Sequence, residues 1–139
     1  MSDLENAKIA LTGHTIALCK GDKVFTSDKK GVSPMIEFID SGINLKGYSV
    51  ADLIVGKAVA MLYVKAEIVA VYAKTISKSA IQVLKNNHIS FYYDILTDKI
   101  INRKGNDLCP MEKVVLDIDN VDTAYHLIKS KLNELKHNK

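Results

Sequence analysis

The chain contains no tryptophan, two prolines, two cysteines and one arginine in 139 residues. Cys19 and Cys109 lie far apart in no metal-like spacing, which fits reduced thiols better than the disulfide framework of a small secreted domain. Reduced thiols and a cytoplasmic setting are the expectation. Four histidines, at 14, 88, 126 and 137, show no ligand spacing, and neither a metal nor a cofactor is expected. Long apolar runs are also missing. The longest, Val50 to Val64, is broken by Asp52, Gly56 and Lys57 and falls short of the roughly 20 residues a bilayer span requires. Met1-Ser2-Asp3-Leu4-Glu5 opens with acid, without the basic segment and apolar stretch of a secretory signal.

A broad charge excess is missing too. The net charge of +3 resides in Lys129, Lys131, Lys136 and Lys139 set against Glu134. Acidic and basic side chains balance in the rest of the chain. No basic stripe with interleaved aromatics crosses it, which argues against a nucleic-acid partner. Those lysines read instead as the last turns of a helix, where cations complement the dipole. With 47% apolar and 25% charged residues, the composition is that of a folded globular protein. The length suits one domain, 1–139.

Ser2 to Leu11 offers an N-cap and then Leu4, Ala7 and Leu11 at helical spacing, stopped by Gly13. His14 to Cys19 and Lys23 to Thr26 are β-compatible runs on either side of Gly21-Asp22, a hairpin pattern. Ser33-Pro34 reads as a cap followed by proline in the first turn of a short helix that ends at Gly42. Ser49-Val50-Ala51-Asp52 fits a capping box, and the residues after it, apolar all round, predict a buried helix from Val50 to Val64. Glu67 to Ala73 and Ile89 to Leu96 read as strands, and Ser77 to Asn86 as a helix. Thr97-Asp98 turns into a further strand over Lys99 to Asn102. Pro110 to Val115 fits either a short helix or a strand, and Asp119 to Lys136 is a helix with one apolar stripe. The pattern is α/β, with helices around one mixed sheet.

Four blocks carry a resemblance along nearly the whole chain. They are Gly31-Val32-Ser33-Pro34-Met35-Ile36-Glu37, the segment Val50 to Tyr63, Ile101-Asn102-Arg103, and Cys109-Pro110-Met111-Glu112. In this order they resemble a small prokaryotic family of unknown function with a cytidine-deaminase-like fold. The resemblance implies a three-layer α/β/α sandwich, and a homodimer in which Phe91-Tyr92-Tyr93 supplies apolar area. Deaminases of the wider superfamily hold zinc through His/Cys-Ala-Glu at the start of the buried helix and Pro-Cys-x-x-Cys at the start of the next. Matched here, the first motif reads Val50-Ala51-Asp52, and Ser77 and Ala80 stand at the cysteine positions. All three protein ligands are lost, which excludes zinc-hydroxide deamination. Asp52 keeps a carboxylate.

Each candidate residue has two readings. Asp52 is an acid/base group, or the acid that completes the capping box at Ser49. Gly56 marks a close approach inside the buried helix. Lys57 reaches a phosphate or carboxylate, or lies along apolar surface with its ammonium in solvent. Arg103 is an anion fork, or a structural partner of Asp94, Asp107 or Glu112. Cys109 is a nucleophile beside a helix start, or an inert small apolar residue. Ser33 caps a helix first and touches a ligand second. With Tyr72, Thr75 and Ser77 these residues would wall a cleft for a nucleotide-like or other anionic small molecule. The alternative is a non-catalytic ligand-binding or protein-interaction module with a dead cleft.

Overall fold

The computed structural model describes residues 2–137. Ser2 caps α1 (Asp3–Ala10), its hydroxyl accepting the Glu5 amide at 3.1 Å and donating to the Glu5 carboxylate. β1 (Ile16–Lys20) and β2 (Lys23–Ser27) form the expected hairpin, with Gly21 in the left-handed region at φ 61°. α2 (Ser33–Asp40) has proline in its first turn as expected, but Val32 holds the cap position and no side chain caps the helix. Ser33 is therefore not the N-cap.

The main departure from expectation follows. Ser49–Val55 is a strand, β3, and the helix α3 (Lys57–Lys65) begins only after Gly56. No capping box forms at Ser49, which instead pairs with Cys19 and Ala70 in the sheet. A strand buried on both faces reads as a continuous apolar run, and periodicity cannot separate such a run from a buried helix. Gly56 is the joint between the two elements. β4 (Ala70–Ser77) runs further than the sequence suggests, so Ser77 ends the strand and caps α4 (Lys78–Asn86) at once. β5 (Ser90–Thr97) matches its pattern, but Lys99 to Asn102 forms no strand, and Ile101 makes only an isolated bridge with Leu108. α5 (Pro110–Val114) and α6 (Val121–His137) complete the described chain.

The sheet order is β2-β1-β3-β4-β5, with β1 antiparallel to both neighbours and β3, β4 and β5 parallel. The register lines up Phe25, Leu18, Val50, Val71 and Phe91 across all five strands, and this row faces the larger core. The next row carries Ala17, Ala51 and Tyr72 on the opposite face, where the two small residues let Ala7 of α1 and Leu11 at its C-terminal end pack close. One row further, Ile16, Asp52 and Ala73 return to the larger core. Helices thus lie on both faces, α1 alone on one and α3 on the other, packed against α4 and α6. Every residue of α3 from Ala58 to Tyr63 is buried.

Candidate ligand-binding cleft

The chain enters β1 from α1 on one face and leaves β3 into α3 on the other. Such divergence opens a crevice at the strand ends, the usual ligand position in α/β sheets. A cleft of about 570 Å³ lies there, between the start of β1, the end of β3, the 29–32 loop with the start of α2, and the first turns of α3 and α5. Leu132 and Leu135 of α6 close one side.

Asp52 forms part of the wall. The strand places its carboxyl on the face covered by α3, where it is 8% exposed. Tyr63 of α3 donates its hydroxyl to Asp52 Oδ2, and the nearby Leu53 and Ile54 amides also favour the ionised carboxyl. Burial outweighs these bonds and pushes the Asp52 pKa up to about 7. Burial and the neighbouring Asp52 hold the Tyr63 hydroxyl well above its ordinary range. Asp52 thus sits mid-strand, and the cap reading offered for it is set aside.

The carboxylate at the helix start is that of Glu112. Its Oε1 accepts the Lys57 amide and its Oε2 the Ala58 amide, both at 2.8 Å. This satisfies two of the amides that a helix start leaves open and places negative charge at the positive end of the dipole. Gly56 makes the approach feasible, because a Cβ there would lie 2.4 Å from Glu112 Oε1 and 2.9 Å from Ile100 Cγ1. The close approach expected at Gly56 comes from a side chain across a helix joint. Burial raises the Glu112 pKa, while the two amides and Lys57 pull it back.

Arg103 and Cys109 line the same cleft as Asp52. Arg103 is exposed and has no ion pair among the described residues. Each partner considered for it is engaged elsewhere: Asp94 with Tyr72, Asp107 with Lys113, and Glu112 with α3. Cys109 is half-buried at the cap of α5, its amide bonded to the Ile100 carbonyl at 2.9 Å. Ser33 and Gly56 also line the cleft.

Four candidates lie elsewhere. The Lys57 ammonium donates to the Leu116 carbonyl at 3.2 Å. Tyr72 faces α1, with its hydroxyl on Asp94 and the Lys8 ammonium 4.3 Å from the ring centre. Thr75 is held in β4 between Ile54 and Ile95. Ser77, fully buried, accepts the Ala80 amide at 3.2 Å as the cap of α4. The resemblance to the deaminase superfamily is what groups them with the cleft. Sequence reasoning missed Tyr63 as the partner of Asp52 and placed Glu112 only as an ion-pair candidate. No spacing rule joins a strand to the far turn of the next helix. Among the described residues, no three or more His, Cys, Asp or Glu side chains are grouped to hold a metal ion.

The domain of unknown function DUF1893 matches residues 6–132. The chain belongs to this family. It is similar to the crystal structure of a DUF1893 family protein (TM1506) from Thermotoga maritima, with 28% identity, a TM-score of 0.84, and coverage of 94% of this chain and 91% of that one. No protein of curated function matches. Membership in DUF1893 thus brings no reaction with it, and the cleft has to be read from its own chemistry.

Proposed function

We propose that this DUF1893 protein binds a nucleotide-like or other anionic small molecule in the cleft beside Asp52. One observation carries the reading: the only arginine, without an ion pair among the described residues, opens onto the same cleft as a buried carboxyl whose pKa is about 7. A guanidinium fork suits a carboxylate or phosphate, and a carboxyl titrating near neutrality can donate or accept a proton. Asp52 is the acid/base group if the protein is an enzyme and a ligand contact if it is a binding module. A mixed sheet with helices on both faces supports the cytidine-deaminase-like assignment. In that frame the buried helix starts at Lys57, so the triplet matched to the superfamily motif is Lys57-Ala58-Val59. With Ser77 and Ala80 at the next helix start, these side chains supply no imidazole or thiolate, and they do not fit a zinc ion. The unpaired thiols of Cys19 and Cys109 support a reducing, cytoplasmic setting.

The test is a metabolite panel read by thermal shift and native mass spectrometry. An anionic ligand is the expected hit, and silence across the panel would leave the rival reading, a dead cleft on an interaction module. With a ligand in hand, Asp52→Asn is expected to abolish turnover in an enzyme and to spare affinity in a binding module.

We also propose a homodimer through β5. Tyr92, Tyr93, Ile95 and Leu96 are exposed on this unpaired edge, which holds no lysine or proline, whereas the shorter edge strand β2 starts with Lys23. Natural sheets blunt free edges with such residues, and an eight-residue edge without them is suited to pairing with a second copy. Sedimentation should give the mass of two chains, and Ile95→Lys should give one. A wild-type mass of one chain would refute the dimer.

A further inference from the structure

The amides at the start of the helix after a central strand are where α/β folds commonly seat a phosphate. In this chain that seat is taken from within. Glu112 Oε1 and Oε2 lie 2.8 Å from the Lys57 and Ala58 amides, and the side chain is 7% exposed. Gly56 has no Cβ in the space the carboxylate fills. A phosphate brought to the same amides would face a buried like charge at short range, where little water screens it.

The cations open to a ligand stand at the rim of the cleft. Lys29 is paired with Glu37 at 2.5 Å, whereas Lys30 and Arg103 have no ion pair among the described residues. One guanidinium fork matches one carboxylate or sulfonate. The walls between rim and floor are largely apolar, from Ile16, Val32, Leu53, Val59, Met111 and Leu132. Such walls favour aryl or alkyl surface and, with Thr15, Ser33 and Asp52 among them, offer few partners to ribose hydroxyls or a phosphate chain. A volume of about 570 Å³ falls within the range of small-molecule pockets.

We infer that the cleft takes a largely apolar molecule with a single anionic group held at Arg103, and that the buried charge of Glu112 at the start of α3 excludes phosphorylated compounds. The inference rests on the reading that the cleft binds a small anion, and it selects among the anions that reading allows. Glu112 is thus a specificity-determining residue.

The test compares two probes on the full chain: anilinonaphthalene sulfonate, an apolar aryl monoanion, and uridine monophosphate. Wild type should bind the sulfonate at least about tenfold more tightly, a difference within reach of one buried charge contact. The sulfonate should perturb the amide resonances of Leu53, Gly56 and Met111. Arg103→Gln should weaken it about tenfold through loss of the fork, and Tyr92→Ser, on the distant β5 edge, should leave it unchanged. Glu112→Gln keeps the shape without the charge and should strengthen uridine monophosphate about tenfold. If wild type binds the nucleotide as tightly as the sulfonate, or a folded Glu112→Gln gains nothing, the selection by Glu112 is overturned while the small-anion reading stands. If neither probe perturbs those amides, both readings fall. The wild-type comparison decides even if Glu112→Gln does not fold.

Discussion

Asp52 concentrates the chemistry of the molecule in one carboxyl group. In the folded chain it keeps its proton to about pH 7, whereas the ordinary value is 3.8. Between those values the folded state binds the extra proton, so the contribution of Asp52 to stability falls as pH rises through this window and levels off above it. The difference corresponds to about 4 kcal/mol. Asp52→Asn, which cannot ionise, should remove this slope, so its stability relative to wild type should rise from pH 5 to pH 8 in denaturant titrations. A constant difference between the two proteins would contradict the shift. Tyr63→Phe should move the Asp52 titration higher still, because the Tyr63 hydroxyl is the largest of the influences that lower it; carbon NMR of the carboxyl reads this directly. Asp52 was legible as a candidate because an acid inside an apolar run stands out. Tyr63 was not, since in sequence it is one more large residue in that run.

Between elements, the joint that matters is Gly56 with Glu112, which fastens α5 to the start of α3. Gly56→Ala forces a methyl group against the carboxylate and should cost about 1–3 kcal/mol. Glu112→Ala leaves two backbone amides without their acceptor and should cost about 2–3 kcal/mol. The two effects should not add, because removing the carboxylate also relieves much of the clash; a double-mutant cycle by urea unfolding measures the coupling. Additive losses would mean that the two residues do not meet. The sequence offered Gly56 as a close-approach site and quoted Glu112 within a short block. That they meet depends on the Asp98–Cys109 loop folding back over α3, a path no local pattern specifies.

For the whole molecule, α6 acts as the cover of the larger core and as a wall of the cleft. Ala124 and Ile128 are fully buried against it, Lys65 of α3 pairs with Asp122 of α6, and Lys129 of α6 pairs with Asp40 of α2. Ion pairs this exposed contribute little, so the α3–α6 seam depends on apolar packing. Ile128→Ala should cost about 2–5 kcal/mol, while Lys129→Ala should change stability by less than about 1 kcal/mol. Equilibrium unfolding of both variants checks the contrast.

By itself the sequence determined the α/β class, the first hairpin, the cap of α1, the extent of α4 and the long final helix. Each of these is written in neighbouring residues: a cap within three positions, a glycine at a turn, an apolar stripe at 3.6-residue spacing. It also put Asp52, Arg103 and Cys109 forward as a set. Tertiary structure decided that Val50 to Val55 is a strand, because burial of both faces up to Asp52, followed by the exposed but apolar Leu53 and Ile54, erases the alternation that distinguishes strand from helix. That one decision moved the helix start to Lys57, sent Tyr72, Thr75 and Ser77 away from the cleft, and set Glu112 at the helix amides. Long-range pairing costs chain entropy before contacts repay it, so its outcome depends on how the whole sheet packs.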